Sequence, residues 1–593
     1  VNRHHTPGSA LRRQAVLAIL GGWLVVALLA VLPDWPAIAA MRLADPDDAL
    51  RLVQVRALLA GQGWFDLHQY RVDPPLGVVM HWSRLVDLPL AGMIMALRPL
   101  LGTAGAELAA AVLVPLLTLL AAQLCLGRLA WRRLGPGYVL LSALLMVLML
   151  PAMMQFKPLR IDHHGWQIVA VVAALNALLS PDSRRGPWIA GAALAFGLSV
   201  SLELLPFAGL FAAVFGLRWL GDPAQRQWLV RYLDALTLCS GALFLATRGL
   251  ADLTAYCDAV SPAYLGGLAA TALAVRGVAA VPTMPRSGLF AMLAVAGLFG
   301  AATFLWLAPA CTTGPFARLD PLVRDFWYDN VKEGMPIWRQ DFAVMVQMLL
   351  PPLIGWQAAV RLARDERSHF WSEYALLLGG AIAISIAVSR FSGVSSAIAV
   401  VPLAWQLRAW AGLIPRLRSM LGKAALAVAM GLAFMPGLAI QGADKVYARI
   451  TAKPQAASGT AMLASNACSM PQSLAALGRL PQGTILAPLD VGPHILLVTP
   501  HRVVATGHHR ASAAMHDVLA AFLGNPEAAR HTVLRHRVDY VLLCDDLVEA
   551  QMYRQRAPHG LAAQLLAGHT VAWLSPVDFG PGAGAMKLWR VAR

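Results

Sequence analysis

Apolar runs recur from Ala15 to Ile440, separated by short loops rich in Arg, Pro and Gly. Each is about the ~20 residues an α-helix needs to cross the hydrocarbon of a bilayer. Such runs have few ways to fold, because in lipid every backbone N–H and C=O must be satisfied within the protein and helices do this segment by segment. Composition agrees: 58% of the residues are hydrophobic and 13% charged, whereas soluble chains carry roughly a quarter charged residues. After Lys445 the pattern changes to that of a soluble α/β domain. The expected architecture is therefore a polytopic α-helical membrane part, residues 1–441, followed by an external α/β domain, residues 442–593. The first run, Ala15 to Leu32, is followed by acidic and aromatic residues rather than a cleavage site, and reads as a retained span.

The formal charge of +16 would fit a nucleic-acid partner only if the basic residues formed one surface. Instead they fall in alternate loops, as the positive-inside rule requires, and a nucleic-acid function is set aside. Arg3, Arg12 and Arg13 place the N-terminus in the cytoplasm. Arg128, Arg132 and Arg133, then Arg184 and Arg185, Arg218, Arg226 and Arg231, Arg276 and Arg286, Arg361, Arg364 and Arg367, and Arg408, Arg416 and Arg418 fall on that same side. The count predicts about thirteen spans on the ~20-residue criterion, an odd number that puts the C-terminal domain outside. The expected setting is a bacterial inner membrane, with that domain periplasmic. External segments are then a first loop over 34–107, the turn around Asp162, a loop over 309–341, the turn at Arg390, and everything after Gln441.

Nearly every unusual polar residue lies in those external segments. Asp45-Pro46-Asp47-Asp48 reads as a helix start, with Asp45 as N-cap and acidic residues at the positive end of the dipole. A carboxylate fixed at a cap is also a well-oriented metal ligand. Arg160-Ile161-Asp162-His163-His164 places a carboxylate and two imidazoles together, either as a cap or as ligands for a divalent cation such as Mn²⁺, Mg²⁺ or Zn²⁺. Val331-Lys332-Glu333 offers one carboxylate in the second long loop. Arg390-Phe391 sits at an external span end; its arginine either snorkels to the interface or meets an anionic partner such as a lipid phosphate. The six cysteines contain no CxxC pair and suggest no disulfide framework, which excludes zinc ribbons and thioredoxin-like chemistry.

Taken in order, these motifs resemble the GT-C glycosyltransferases, and within them the catalytic subunit of oligosaccharyltransferase in its single-subunit archaeal and bacterial forms. Asp45-Pro46 with Arg51 is similar to the family's first-loop motif. Pro75, Gly77, His81, Trp82 and Asp87 are similar to the stretch that follows it, and Asp162-His163-His164 to the second acidic motif. Glu333 looks like the acidic residue of the fifth external loop, and Arg390 like the arginine that contacts the donor phosphate. In the C-terminal domain Asp490 and Gly492 stand where the family has Trp-Trp-Asp-Tyr-Gly. Both tryptophans and the tyrosine are missing, and with them the feature that holds an asparagine acceptor sequence. Cys468 and Cys544 lie in the same external domain, as a disulfide or as two separate thiols.

The resemblance implies an inverting transfer of a sugar or glycan from a polyprenyl phosphate or pyrophosphate donor to a glycan, lipid or protein acceptor. It implies a divalent metal (Mn²⁺, Mg²⁺ or Zn²⁺) on Asp45, Asp162 and His164, with His81 or Glu333 nearby. Arg390 would grip the donor phosphate, Glu333 and Asp45 would handle the acceptor nucleophile, and Asp490 would lie on the acceptor side. Rival readings are a GT-C enzyme for a lipid or polysaccharide acceptor, a non-enzymatic assembly subunit, and a transporter or flippase for lipid-linked glycans. A transporter needs functional polar groups at midplane, whereas Glu203 and Pro206 lie near a membrane end.

Overall fold

A computed structural model describes residues 9–316, 319–451, 474–578 and 586–592. Among them nine helices are long and apolar enough to cross a membrane. A tenth span results if Met420–Phe434 and Pro436–Val446 are taken as one, although they meet at 102°. Pro436 explains that break, since it brings no amide hydrogen and disfavours helical geometry in the residue before it. Three shorter apolar helices, Pro136–Leu148, His164–Leu179 and Gly186–Val200, complete the bundle. The expected thirteen is reached only if the bent pair and all three short helices cross.

The chain enters through the helix Ser9–Val31. This helix packs closely on its neighbours because small residues stand at the contacts: a Cβ at Gly22 would lie 2.6 Å from that of Ala143. Close backbone approach of this kind is the usual basis of helix association in lipid. On another side Trp23 Nε1 ties the first helix to a third one, Arg84–Arg133, by donating to Leu116 O at 2.8 Å. The segment over 34–107 contains the helix expected to start at the Asp45 cap and run through Leu59, but its second half is helical too, which was not expected. It holds the helix Pro46–Leu59 and the start of a 50-residue helix, Arg84–Arg133, which kinks where Gly102 adopts φ 70°. That left-handed value is open to glycine at little cost, so the helix changes direction there between its Arg84 end and its Arg133 end.

The basic loops come together as the charge pattern predicts. Arg133 lies over Phe370, Arg218 pairs with Glu373, Arg276 with Asp234 at 2.7 Å, and Arg408 lies over Tyr138. From these contacts the helices run to the segments that carry Asp45, Asp162, Glu203, Glu333 and Arg390.

The C-terminal part contains a five-stranded mixed sheet. Its order is Arg502–Val503, Thr484–Leu486, Tyr540–Cys544, Met586–Val591, Leu574–Pro576; the first three strands are parallel and the last two antiparallel. The helix Pro526–Arg535, capped by Asn525, leads into the central strand Tyr540–Cys544, all five residues of which are buried. An uninterrupted apolar strand is what a sheet covered on both faces demands. One apolar core joins this sheet to the segment from Ile38 through Val114. Arg71 strengthens the joint by donating to Leu496 O at 2.8 Å and to His501 O at 2.6 and 3.1 Å. Val72 forms a parallel bridge to Val503. The expected boundary at 441/442 falls within the helix Pro436–Thr451.

Cys257 and Cys311 form a disulfide, which corrects the expectation of no disulfide framework. They flank the hairpin of Pro262–Ala280 and Arg286–Leu307, a proximity invisible over 54 residues of sequence. The alternative pairing of Cys468 with Cys544 involves residue 468, outside the described residues.

Candidate active site

Asp45 caps the helix Pro46–Leu59, accepting from the Asp47 amide at 2.9 Å. Its free oxygen faces Arg160, whose guanidinium also donates to Asp48 at 3.1 Å and Asp162 at 2.9 Å. Asp48, buried, receives the Ile161 and Asp162 amides at 2.8 and 2.9 Å, so the two acidic motifs are locked together by backbone as well as charge. Arg160 was read from sequence only as part of the Asp-His-His motif. It is the cation on which three carboxylates converge.

From Asp162 the polar line continues without a gap. Asp162 Oδ2 lies 3.5 Å from His164 Nε2, and His164 Nδ1 lies 3.0 Å from Gln167 Oε1. Gln167 then donates to Glu203 at 3.1 Å. Arg390 donates to Glu203 at 2.5 Å and lies 3.4 Å from Glu333. Glu333 is delivered by a short turn pinned to the span end: Ser389 N donates to Met335 O at 3.0 Å and Ser389 Oγ to Glu333 O at 3.0 Å. Asp45, Asp162, His164, Glu333 and Arg390 are thus one network, assembled from segments far apart in sequence. Glu203 and Gln167 connect its halves, a role the sequence reading did not assign to either.

The electrostatics are those of an over-acidic pocket. Burial, and then the carboxylates of Asp45, Asp162 and Glu333, push the Asp47 carboxyl well above its ordinary value. Burial also raises Asp48, outweighing the nearby Arg160. Asp162 moves the other way: despite burial, Arg160, His164 and His163 hold its carboxyl well below the usual range. Burial brings the His163 imidazole down to about 3. Six carboxylates here, Asp45, Asp47, Asp48, Asp162, Glu203 and Glu333, face two guanidinium groups, Arg160 and Arg390. This surplus suits a divalent cation, as do a neutral His163 with an unpartnered buried Nδ1 and the convergence of His163, His164 and Glu203. Those three can each bring one ligand atom within 4.8 Å of the others.

Two expected ligands stand differently. His81 is not part of this network; its Nδ1 lies 2.9 Å from His508 Nε2, beside His509. The reason is local: the Arg248 guanidinium holds the His81 carbonyl at 2.9 Å, next to Asp258 and Arg510 of the same cluster. Asp45 is engaged by Arg160 rather than left free for a metal.

Asp490 follows the strand Thr484–Leu486. Its carboxylate is open to solvent, yet the surrounding protein and the charge of Asp45 push it up to about 6, as expected for a group lining a cleft. Trp327, from the 309–341 segment, reaches the same place: a Cβ at Gly507 would lie 3.1 Å from Trp327 Nε1 and 3.5 Å from Asp490 Oδ1. Behind Asp490, buried Glu549 accepts from the Leu489 amide at 3.0 Å and the Tyr553 hydroxyl at 2.5 Å. Arg51 and Arg84 flank Asp87 at 3.0 and 3.2 Å, all three fully buried, and Arg51 lies over Trp82. This part of the first-loop motif is a structural centre.

No protein-family model matches the chain, and no curated protein matches it in sequence. Solved structures do. The Archaeoglobus fulgidus oligosaccharyltransferase AglB in complex with an inhibitory peptide and a dolichol-phosphate superposes with a TM-score of 0.65 at 14% identity, over 94% of this chain and 72% of that one. The same enzyme tethered to an acceptor peptide with an NVT sequon gives 0.64 at 14%, over 92% and 72%. Its complex with Zn and sulfate gives 0.60 at 14%, over 97% and 73%. The chain therefore shares the fold of the archaeal oligosaccharyltransferase that its motifs resembled.

Proposed function

We propose that this protein is a membrane glycosyltransferase that moves a sugar or glycan from a polyprenyl-phosphate-type donor to an acceptor at the external membrane face. The observation that carries this reading is the unbroken polar line from Asp45 to Glu333, with arginines in both halves, between the span ends and the C-terminal sheet. A polyprenyl chain stays in the bilayer while its phosphate reaches that line. The likeness to a structure holding dolichol-phosphate supports such a donor.

In the reaction an acceptor oxygen or nitrogen attacks the anomeric carbon from the face opposite the phosphate. The bond from that carbon to the phosphate oxygen breaks, the phosphate leaves with the electron pair, and the configuration inverts. Arg390, whose buried Nε has no partner, binds the phosphate oxygens. Glu333, partly exposed at the end of the network, takes the acceptor's proton, and Asp45 orients the nucleophile. A divalent cation, Mn²⁺, Mg²⁺ or Zn²⁺, would be held by Asp162, His163, His164 and Glu203, and would neutralise charge that develops on the leaving phosphate.

Pro488, Leu489 and Val491 around Asp490 favour an acceptor other than an asparagine sequon, such as a lipid, a polysaccharide or another protein site. The acidic network and the Cys257–Cys311 disulfide support one external, oxidising side. The N-terminus is then cytoplasmic and the C-terminal domain periplasmic, in a bacterial inner membrane. The test compares cells with and without the gene by mass spectrometry of glycolipids and external glycans. Loss of the gene should accumulate a lipid-linked sugar, and Asp162→Asn should fail to clear it. Unchanged lipid and glycan profiles would count against transfer.

A further inference from the structure

His81, His508 and His509 form a second cluster, outside the network that handles the donor. They come from two regions: His81 from the first external segment, and His508 and His509 from the loop after the strand Arg502–Val503. Their ring centroids make a nearly equilateral triangle with edges of 5.0, 4.8 and 5.0 Å. Three imidazoles on a tetrahedral ion with metal–nitrogen bonds of about 2.0 Å hold their ring centres roughly 5 Å apart. One ligand nitrogen from each ring can lie within 4.8 Å of the other two.

The surroundings are those of a built site. Asp258 lies 2.6 Å from His509 Nε2, which fixes that ring and leaves Nδ1 to a metal. A carboxylate behind a ligand histidine orients it and raises its basicity. Asp258 is itself held by two 2.7 Å contacts from Arg510 and follows Cys257 of the disulfide. His508 is 3% exposed, with Nδ1 buried and unpartnered. His81 and His509 are half-buried beside it, and ordinary packing of one buried histidine does not account for three imidazoles that share one centre.

We infer that His81, His508 and His509 form a three-imidazole site for a borderline divalent cation, Zn²⁺, with Asp258 orienting His509 and a water completing the tetrahedron. Imidazole nitrogens select Zn²⁺ over Mg²⁺ or Ca²⁺, which require oxygen. The ion ties the first external segment to the C-terminal sheet beside the disulfide-linked loop, and so clamps the roof over the active site. This role is separate from donor chemistry.

The test uses the full chain in detergent, in an Asp162→Asn, His164→Gln background that disables the other candidate centre. After chelator treatment, Co²⁺ is titrated in as a spectroscopic probe and Zn²⁺ is used to displace it. One equivalent of Co²⁺ with the strong visible absorption of a tetrahedral complex is expected, abolished by adding His508→Gln with His509→Gln. Asp258→Asn, which keeps all three ligands, should weaken binding about ten- to a hundredfold. The inference is overturned by absence of the tetrahedral spectrum in the background protein. An unchanged spectrum in the double histidine variant overturns it too. If that variant does not fold, unchanged affinity in Asp258→Asn does the same.

Discussion

Arg390 and Glu203, 187 residues apart in the chain, meet at 2.5 Å, and the contact joins the turn that delivers Glu333 to the helix ends that hold His164. A lysine at 390 would keep the charge but not the planar fork that spans two carboxylates and still offers Nε. Arg390→Lys should lower transfer about ten- to a hundredfold, roughly 1.4–3 kcal/mol in the barrier. The melting temperature should stay within a few degrees. Wild-type turnover of a polyprenyl-phosphate-linked sugar in vesicles would remove Arg390 from the phosphate site.

Arg160 balances three carboxylates at once. Removing one partner of a buried ion pair costs about 3–5 kcal/mol because the other charge stays behind. Arg160→Ala should therefore melt well below the wild type, and millimolar Mn²⁺ or Zn²⁺ should restore more stability to the variant than to the wild type. Melting curves with and without the ions decide this; equal responses in both proteins would show that the acidic pocket does not take a divalent cation.

The Arg51–Asp87–Arg84 centre is fully enclosed, so Asp87→Asn would leave two guanidinium groups facing a neutral amide. A loss of about 3–5 kcal/mol is expected, seen as reduced folded yield and an earlier transition by fluorescence-detected size exclusion. A variant with normal yield and melting would contradict a structural role.

Glu549 gives a pH signature. Burial and then Asp490 push its carboxyl up to about 7 from an ordinary 4.5. The folded chain thus holds a proton that the unfolded chain has lost, and stability falls as pH rises from about 4.5 to 7, at up to ~1.4 kcal/mol per pH unit. Glu549→Gln imitates the protonated form and keeps an acceptor for Leu489 and Tyr553. Its melting temperature should decline less over that interval than the wild type's, and parallel curves would refute the assignment.

The membrane bundle was legible because hydrophobic length and the alternation of arginines are local properties of the chain. Asp45, Asp162, Glu333 and Arg390, each flagged by a short motif and an expected external position, do come together in one network. Partnership was not legible. Nothing near Arg160 in sequence reveals that Asp45 and Asp48 close on it, and Glu203 stands in an apolar context that hides its contact with Arg390. His81 was assigned to the wrong neighbours because its motif lies in the first loop, whereas its actual partners lie 427 residues away at His508 and next to it. The helix starting at Arg84 was hidden for another reason: its first turns follow a loop-like stretch, and only Gly102 marks where it bends.

The apolar core shared by residues 38–114 and the C-terminal sheet bears on how this protein can be engineered and how it can diverge. The terminal part is not an interchangeable module. Produced alone, residues from 474 onward would present an uncovered greasy face and aggregate. A chimera that borrows that part from another protein would need the matching first segment as well, because the two halves of one core must change together.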